Sequence, residues 1–270
     1  DATARVKLLT HPNGWVRDSA QRLLVESADV AAATPLRTLL ADAQAPAKAR
    51  LHALWSLDGL ASARAEDVRL ALKDSDAQVR AAAVRIAPAE MLVELCAIKD
   101  EKEILVLAHM AIRLSGAHLA DADKAVAELL AAHGDNVLVR EGALTGARGR
   151  EVALAKAVAA LGSVANLKQT GPALEGFATL ISQAGKSGPF EGMLEIAASL
   201  GDRTNLRAAI LRGLDQSIRD PKSKKAVPLK TIWVSAEPAS LAKLKKTVTE
   251  ANALKNLVSV TARLAWVGKP

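Results

Sequence analysis

Five segments of this chain set an arginine behind an apolar residue and ahead of small or apolar ones. They are Val16-Arg17-Asp18-Ser19-Ala20, Ala49-Arg50-Leu51-His52-Ala53, Val79-Arg80-Ala81-Ala82-Ala83, Val139-Arg140-Glu141-Gly142-Ala143 and Leu206-Arg207-Ala208-Ala209-Ile210. The successive intervals between the arginines are 33, 30, 60 and 67 residues. The two long intervals each leave room for one more unit, around Val106 and Leu174, where the arginine is replaced. A spacing of about 30–34 residues is that of a stacked helix pair. A unit of this kind cannot bury its apolar face alone, so the repeat itself demands an extended stack.

Local patterning agrees. Val79, Ala82, Ala83 and Ile86 fall on one helical stripe, as do Leu206, Ala209, Ile210, Gly213 and Leu214. Asp76, Asp135 and Asp202 stand where N-caps belong, and Gly59, Gly116, Gly134, Gly185 and Gly201 where helices end. The predicted second helices run near 14–27, 46–58, 76–87, 102–115, 136–148, 172–184 and 203–217, with first helices between them. Residues 1–9 read as the second half of an outer helix. Only 2% of residues are aromatic, so the apolar content is Ala, Leu and Val. That composition favours closely stacked helices over a sandwich of strands, and no run of alternating residues suggests a sheet. The expected fold is all-α, about seven to eight helix pairs. Residues 1–218 form the regular array; 219–270 form a basic linker and a terminal capping pair, Pro238 to Ala251 and Asn252 to Trp266.

The Asp turn followed by Val-Arg-x-x-Ala resembles the HEAT-repeat family across essentially the whole chain, which implies a right-handed, armadillo-like α-solenoid. A narrower resemblance rests on His11-Pro12-Asn13-Gly14-Trp15-Val16-Arg17-Asp18-Ser19-Ala20-Gln21-Arg22-Leu23-Leu24 and Leu51-His52-Ala53-Leu54-Trp55-Ser56-Leu57-Asp58-Gly59-Leu60. These segments are similar to the HEAT part of large multidomain bacterial proteins of the planctomycete type. In those proteins a dehydrogenase-like β-propeller precedes the repeats and a c-type haem domain follows them. The resemblance implies a middle fragment of such a protein and an extracytoplasmic location. Otherwise the expected location is cytoplasmic. The haem motif is missing here, because Cys96 is followed by Ala97, Ile98 and Lys99, so the family's redox chemistry attaches to no residue of this chain.

The net charge of +7 is concentrated at one end. Residues 219–270 hold 11 Lys and Arg against 3 Asp and Glu, while residues 1–218 are near neutral. Lys222, Lys224, Lys225, Lys230, Lys243, Lys245 and Lys246 therefore form the candidate interaction surface for an acidic partner. The competing expectation is a solvated outer face on a capping unit. Arg17, Arg50, Arg80, Arg140 and Arg207, with Asp76, Asp135 and Asp202, read as a structural ladder tying turns and repeats together, in preference to a phosphate stripe.

Other chemistry finds little support. The five histidines make no metal-binding pair, and one cysteine makes neither a disulfide nor a multi-cysteine site. Gly185-Lys186-Ser187 lacks the upstream glycine of a phosphate loop, since Leu180 stands there. Gly142, Gly146 and Gly149 are expected to allow close helix approach, and Trp15 and Trp55 to be core residues. The longest uncharged run is 11 residues, Ala157 to Leu167, against about 20 for a membrane span. No catalytic, metal or cofactor residue is expected. The predicted role is a non-catalytic scaffold for a protein partner or for flanking domains. The alternative is a nucleic-acid-binding repeat protein using the basic C-terminal region, resembling the HEAT-like DNA glycosylases. A lyase of the bilin type is a third reading and needs a ligand-sized pocket.

Overall fold

The computed structural model describes residues 1–216 and 229–267. Among these, sixteen α-helices alternate with short turns, and the protein is all-α apart from one two-residue strand pair. Contacts cluster into two units, Asp1–Arg113 and Leu114–Pro270.

The first unit holds α1 (Ala2–Leu8), α2 (Gly14–Glu26), α3 (Ala33–Ala41), α4 (Ala47–Gly59), α5 (Ala65–Ala71), α6 (Ala77–Ile86), α7 (Leu92–Cys96) and most of α8 (Ile104–Ser115). Neighbours pair as α1 with α2, α3 with α4, and α5 with α6. Every second helix also packs on the next of its own layer: α1 on α3 on α5, and α2 on α4 on α6. On α8, Arg113 Nη2 donates to the Ala87 carbonyl at the end of α6, at 2.8 Å. Local chemistry starts these helices. Asn13 caps α2 by accepting from the Trp15 amide, and Asp76 caps α6 by accepting from Gln78 and Val79.

The second unit holds α9 (Ala120–His133), α10 (Val137–Gly146), α11 (Glu151–Leu161), α12 (Leu167–Ala184), α13 (Ser187–Ser199), α14 (Thr204–Asp215), β1 (Ile232–Trp233), α15 (Ala239–Thr247), α16 (Ala251–Arg263) and β2 (Leu264–Ala265). The same alternation recurs: α9, α11, α13 and α15 pack in series, as do α10, α12, α14 and α16. Phe177 on α12 and Phe190 on α13 are fully buried and anchor this core. Alanine and leucine supply most of the remaining core positions, and the alanines draw the helix axes together. The α12–α14 crossing shows how close. A Cβ built on Gly213 would lie 2.2 Å from the Glu175 carbonyl oxygen.

The predicted second helices lie within three residues of the observed ends, except near 172–184. There the helix begins at Leu167 and carries Pro172 inside it. The Thr170 hydroxyl donates to the Asn166 carbonyl at 3.0 Å within that added turn. Several expectations are corrected. Ile232 and Trp233 pair in parallel with Leu264 and Ala265; two residues are too few to leave a period in the sequence. Gly149 lies at φ +80° with open space around it, a turn residue and not a packing contact. Trp15 is 75% exposed, because the second position of α2 faces outward past the Pro12-Asn13 turn.

Candidate interaction surface

The five recurrent arginines occupy the first or second turn of a second-layer helix, and each guanidinium folds back on the turn before it. Nη1 of Arg17 donates to the carbonyls of His11 and Pro12 at 2.7 and 2.9 Å. Nη1 of Arg50 donates to the Ala45 carbonyl. Arg80 reaches Asp74 and Ser75 at 2.9 and 3.1 Å, Arg140 reaches Gly134 at 3.0 Å, and Arg207 reaches Gly201 at 3.1 Å. The acceptor is always five or six residues upstream. These carbonyls sit in sharp turns with no ladder partner, so an arginine one turn into the helix satisfies groups that water would otherwise have to reach.

Three of the arginines also reach forward to a carboxylate of the following turn. Arg50 makes a two-pronged pair with Asp74, both bonds 2.7 Å, and both side chains are more than nine-tenths buried. Arg80 does the same with Glu101 at 2.7 and 3.1 Å. Arg207 bonds Glu250 ahead of α16 at 3.3 Å. Burial alone would raise the pKa of Asp74, but the hydrogen bond from Arg50, the Asp76 amide and the charges of Arg50 and Arg80 outweigh it and lower it.

The predicted acids are distributed differently. Asp76 caps α6. Asp135 and Asp202 are not the caps; Asn136 caps α10 with its side chain, and Arg203 stands at the N-cap of α14. What Asp135 offers Arg140 is a backbone carbonyl at 3.5 Å, because Asn136, one residue later, already serves the free amides. The carboxylates that do bridge turns, Asp74, Glu101 and Glu250, lie 21 to 43 residues from their arginines. Only the repeat period hints at such partners.

The basic cluster is divided. Lys222, Lys224 and Lys225 lie outside the described residues. Lys230 is exposed, with its side chain against Gly185 at the end of α12. Lys243, Lys245 and Lys246 are exposed on α15, whose Leu241 and Leu244 are buried, as is Val248 just after it. Lys245 is engaged by Glu237 at 2.5 Å, and Lys245 and Lys246 stand in the last turn, where positive charge suits the helix dipole.

Two features escape any repeat pattern. Arg263 is 9% exposed and has no direct carboxylate partner among the described residues. Its Nη1 donates to Ser182 Oγ at 2.7 Å and the Leu214 carbonyl at 2.6 Å, and its Nη2 to the Ser182 carbonyl at 3.2 Å. It also stands 5.4 Å from the Phe190 ring centroid. Desolvation pulls its pKa down, with the Asp215 charge opposing. Arg263 thus joins α12, α14 and α16 at one point.

The second feature is a row on α2, α4, α6 and α8. Trp55 is half-buried and carries the Arg85 guanidinium 5.4 Å from its ring centroid. One turn earlier on α4, His52 Nδ1 lies 2.6 Å from Gln21 Oε1, and its Nε2 lies 3.8 Å from Asp18. His109 on α8 is near enough to feel the charge of Arg85.

A groove of about 560 Å³ opens along α10 and α12, lined by Arg140, Glu141, Leu144, Pro172, Glu175 and Thr179 among others. Its polar groups serve one another. Arg212 pairs with Glu175 at 2.9 Å, Thr179 with Gln216 at 3.1 Å, and Arg140 with Glu141 at 3.7 Å. Among the described residues, no group of three or more His, Cys, Asp or Glu is placed to hold a metal ion, and no helix is long and apolar enough to cross a membrane.

Fold and site together define an all-α protein of paired, layered helices. No known family model matches the chain, and no curated protein matches it.

Proposed function

We propose that this chain is a HEAT-type α-solenoid of seven to eight pairs that acts as a non-catalytic scaffold. It would bind a protein partner or position flanking domains of a larger bacterial multidomain protein. The single observation that carries this reading is the recurrent arginine. At five second-layer helices it satisfies the preceding turn, and at three it reaches the next one, a device for stacking units and not for chemistry. Residues 219–270 would close one end of the stack with a polar outer face. In this reading the location is that of the parent protein, outside the cytoplasm.

Small-angle scattering tests the architecture. A compact chain of this length has a radius of gyration of about 18 Å; a solenoid must exceed that clearly.

The alternative reading, nucleic-acid binding, draws on the exposed Lys230, Lys243 and Lys246. Binding of duplex and single-stranded DNA across a salt series separates the two. Submicromolar affinity at physiological salt, a steep salt slope, and its loss on reversing the charges at Lys222 to Lys246 would favour the alternative. Weak association confined to low salt would leave the scaffold.

A further inference from the structure

Arg85 differs from the ladder arginines in what its guanidinium does. Arg17, Arg50 and Arg80 spend their donors on turn carbonyls and carboxylates. Arg85 is exposed, lies over the Trp55 ring, and has no hydrogen-bond or ion-pair acceptor among the described residues. An arginine held by a ring face keeps its plane while its edge donors stay open, which is the geometry that receives a carboxylate through two parallel bonds.

Its surroundings limit what can bind. His52 is pushed toward the neutral form first by burial and then by the charge of Arg17, against Asp18. His109 is pushed the same way by burial and by Arg85. At neutral pH the row therefore presents one open cation, two uncharged imidazoles, the Gln21 amide and, at its far end, the Asp18 carboxylate. Residues 1–113 carry 15 Lys and Arg and 15 Asp and Glu, no net charge. A phosphate chain needs a continuous positive track and would meet Asp18. One carboxylate on a peptide needs one guanidinium and an apolar neighbour, which Trp55 supplies.

We propose that the row Gln21, His52, Trp55 and Arg85 is a docking site for an acidic peptide segment, with an Asp or Glu carboxylate on Arg85 and the adjoining chain lying over Trp55. This deepens the scaffold reading by naming the face and the partner's chemistry, and it rests on that reading.

The test uses the whole chain and three fluorescein-labelled probes: an octapeptide with a single Glu among Leu and Ser, its Gln counterpart, and a single-stranded oligonucleotide. The Glu peptide should bind about tenfold more tightly than the Gln peptide, and Arg85→Gln should abolish that difference. Arg85→Lys should recover only part of it, and Trp55→Leu should weaken the Glu peptide, with Lys246→Gln leaving it unchanged. Circular dichroism melting monitors the fold of each variant; because Arg85 is exposed, Arg85→Gln decides the matter even if Trp55→Leu fails to fold. Equal binding of the two peptides, an Arg85→Gln variant that binds like the wild type, or Arg85-dependent preference for the oligonucleotide would overturn the proposal. Those results leave the scattering measurement untouched. A compact scattering profile would instead fail the scaffold reading itself.

Discussion

Arg50, in the first turn of α4, and Asp74, in the turn ahead of α6, meet through two parallel 2.7 Å bonds, Nε to Oδ2 and Nη2 to Oδ1. The arginine is 6% exposed and also holds the Ala45 carbonyl. One side chain thus closes its own turn and grips the next. Asp74 in turn offers its carbonyl to Arg80, so the linkage continues.

Removing one member of that pair leaves a buried charge without a counterion. Asp74→Ala should lower stability by about 3 kcal/mol, read as a lower urea midpoint. The double variant Arg50→Met, Asp74→Ala removes both charges and should recover part of the loss. A double variant worse than Asp74→Ala would show that the Ala45 contact matters more than the ion pair.

Arg263 supports three helix ends at once. Arg263→Ala removes one of two donors to the Leu214 carbonyl, which Ser182 Oγ also serves at 2.8 Å, and the guanidinium donors to Ser182 itself; it should cost roughly 2–4 kcal/mol through those lost charged bonds together with lost packing on Phe190. Arg263→Lys should rescue little, because one ammonium cannot span acceptors that a planar fork reaches. Amide exchange on α16 should accelerate in both variants.

Close packing of α12 on α14 depends on a missing side chain. Gly213→Ala would set a methyl 2.2 Å from the Glu175 carbonyl oxygen and 2.7 Å from Ala178 Cβ. Backbone cannot yield cheaply, so the variant should lose about 1–3 kcal/mol. Gly188→Ala, on α13 with nothing within 4 Å, should gain about 0.5 kcal/mol from a less flexible unfolded chain. Thermal midpoints that move the same way in both variants would contradict the packing account.

Acid should weaken the fold before the carboxylates titrate. His52 and His109 both have pKa values lowered by burial first, so the folded state prefers them neutral. The unfolded chain takes up protons at higher pH than the folded one. Their contribution is therefore complete above the ordinary histidine range and is lost as pH falls through the depressed folded values. Thermal midpoints should decline between about pH 7 and 5, and His52→Gln should flatten part of that decline.

What the sequence shows directly is limited by distance along the chain. Repeats near Arg17, Arg50, Arg80, Arg140 and Arg207 located the second helices, because helical stripes and caps are written within one or two turns. The arginines' carbonyl acceptors are equally local. Asp135 and Asp202 miss the cap position, since a cap is set by backbone geometry to within one residue, and Asn136 and Arg203 occupy it. The spacing puts Lys243, Lys245 and Lys246 on a helix with Leu241, Leu244 and Val248; α15 carries the lysines over buried Leu241 and Leu244 and ends at Thr247, so Val248 is buried just beyond it.

Which helices touch, and what Arg263, Trp55 and Arg85 do, only the tertiary structure decided. Arg263 meets Ser182 across 81 residues, and Arg85 meets Trp55 across 30. Trp15 and Trp55 are both expected in the core, yet one stands 75% exposed and the other is half-buried beneath an arginine of α6. A helix's own period determines which residues share a face; only a neighbouring helix determines whether that face is covered.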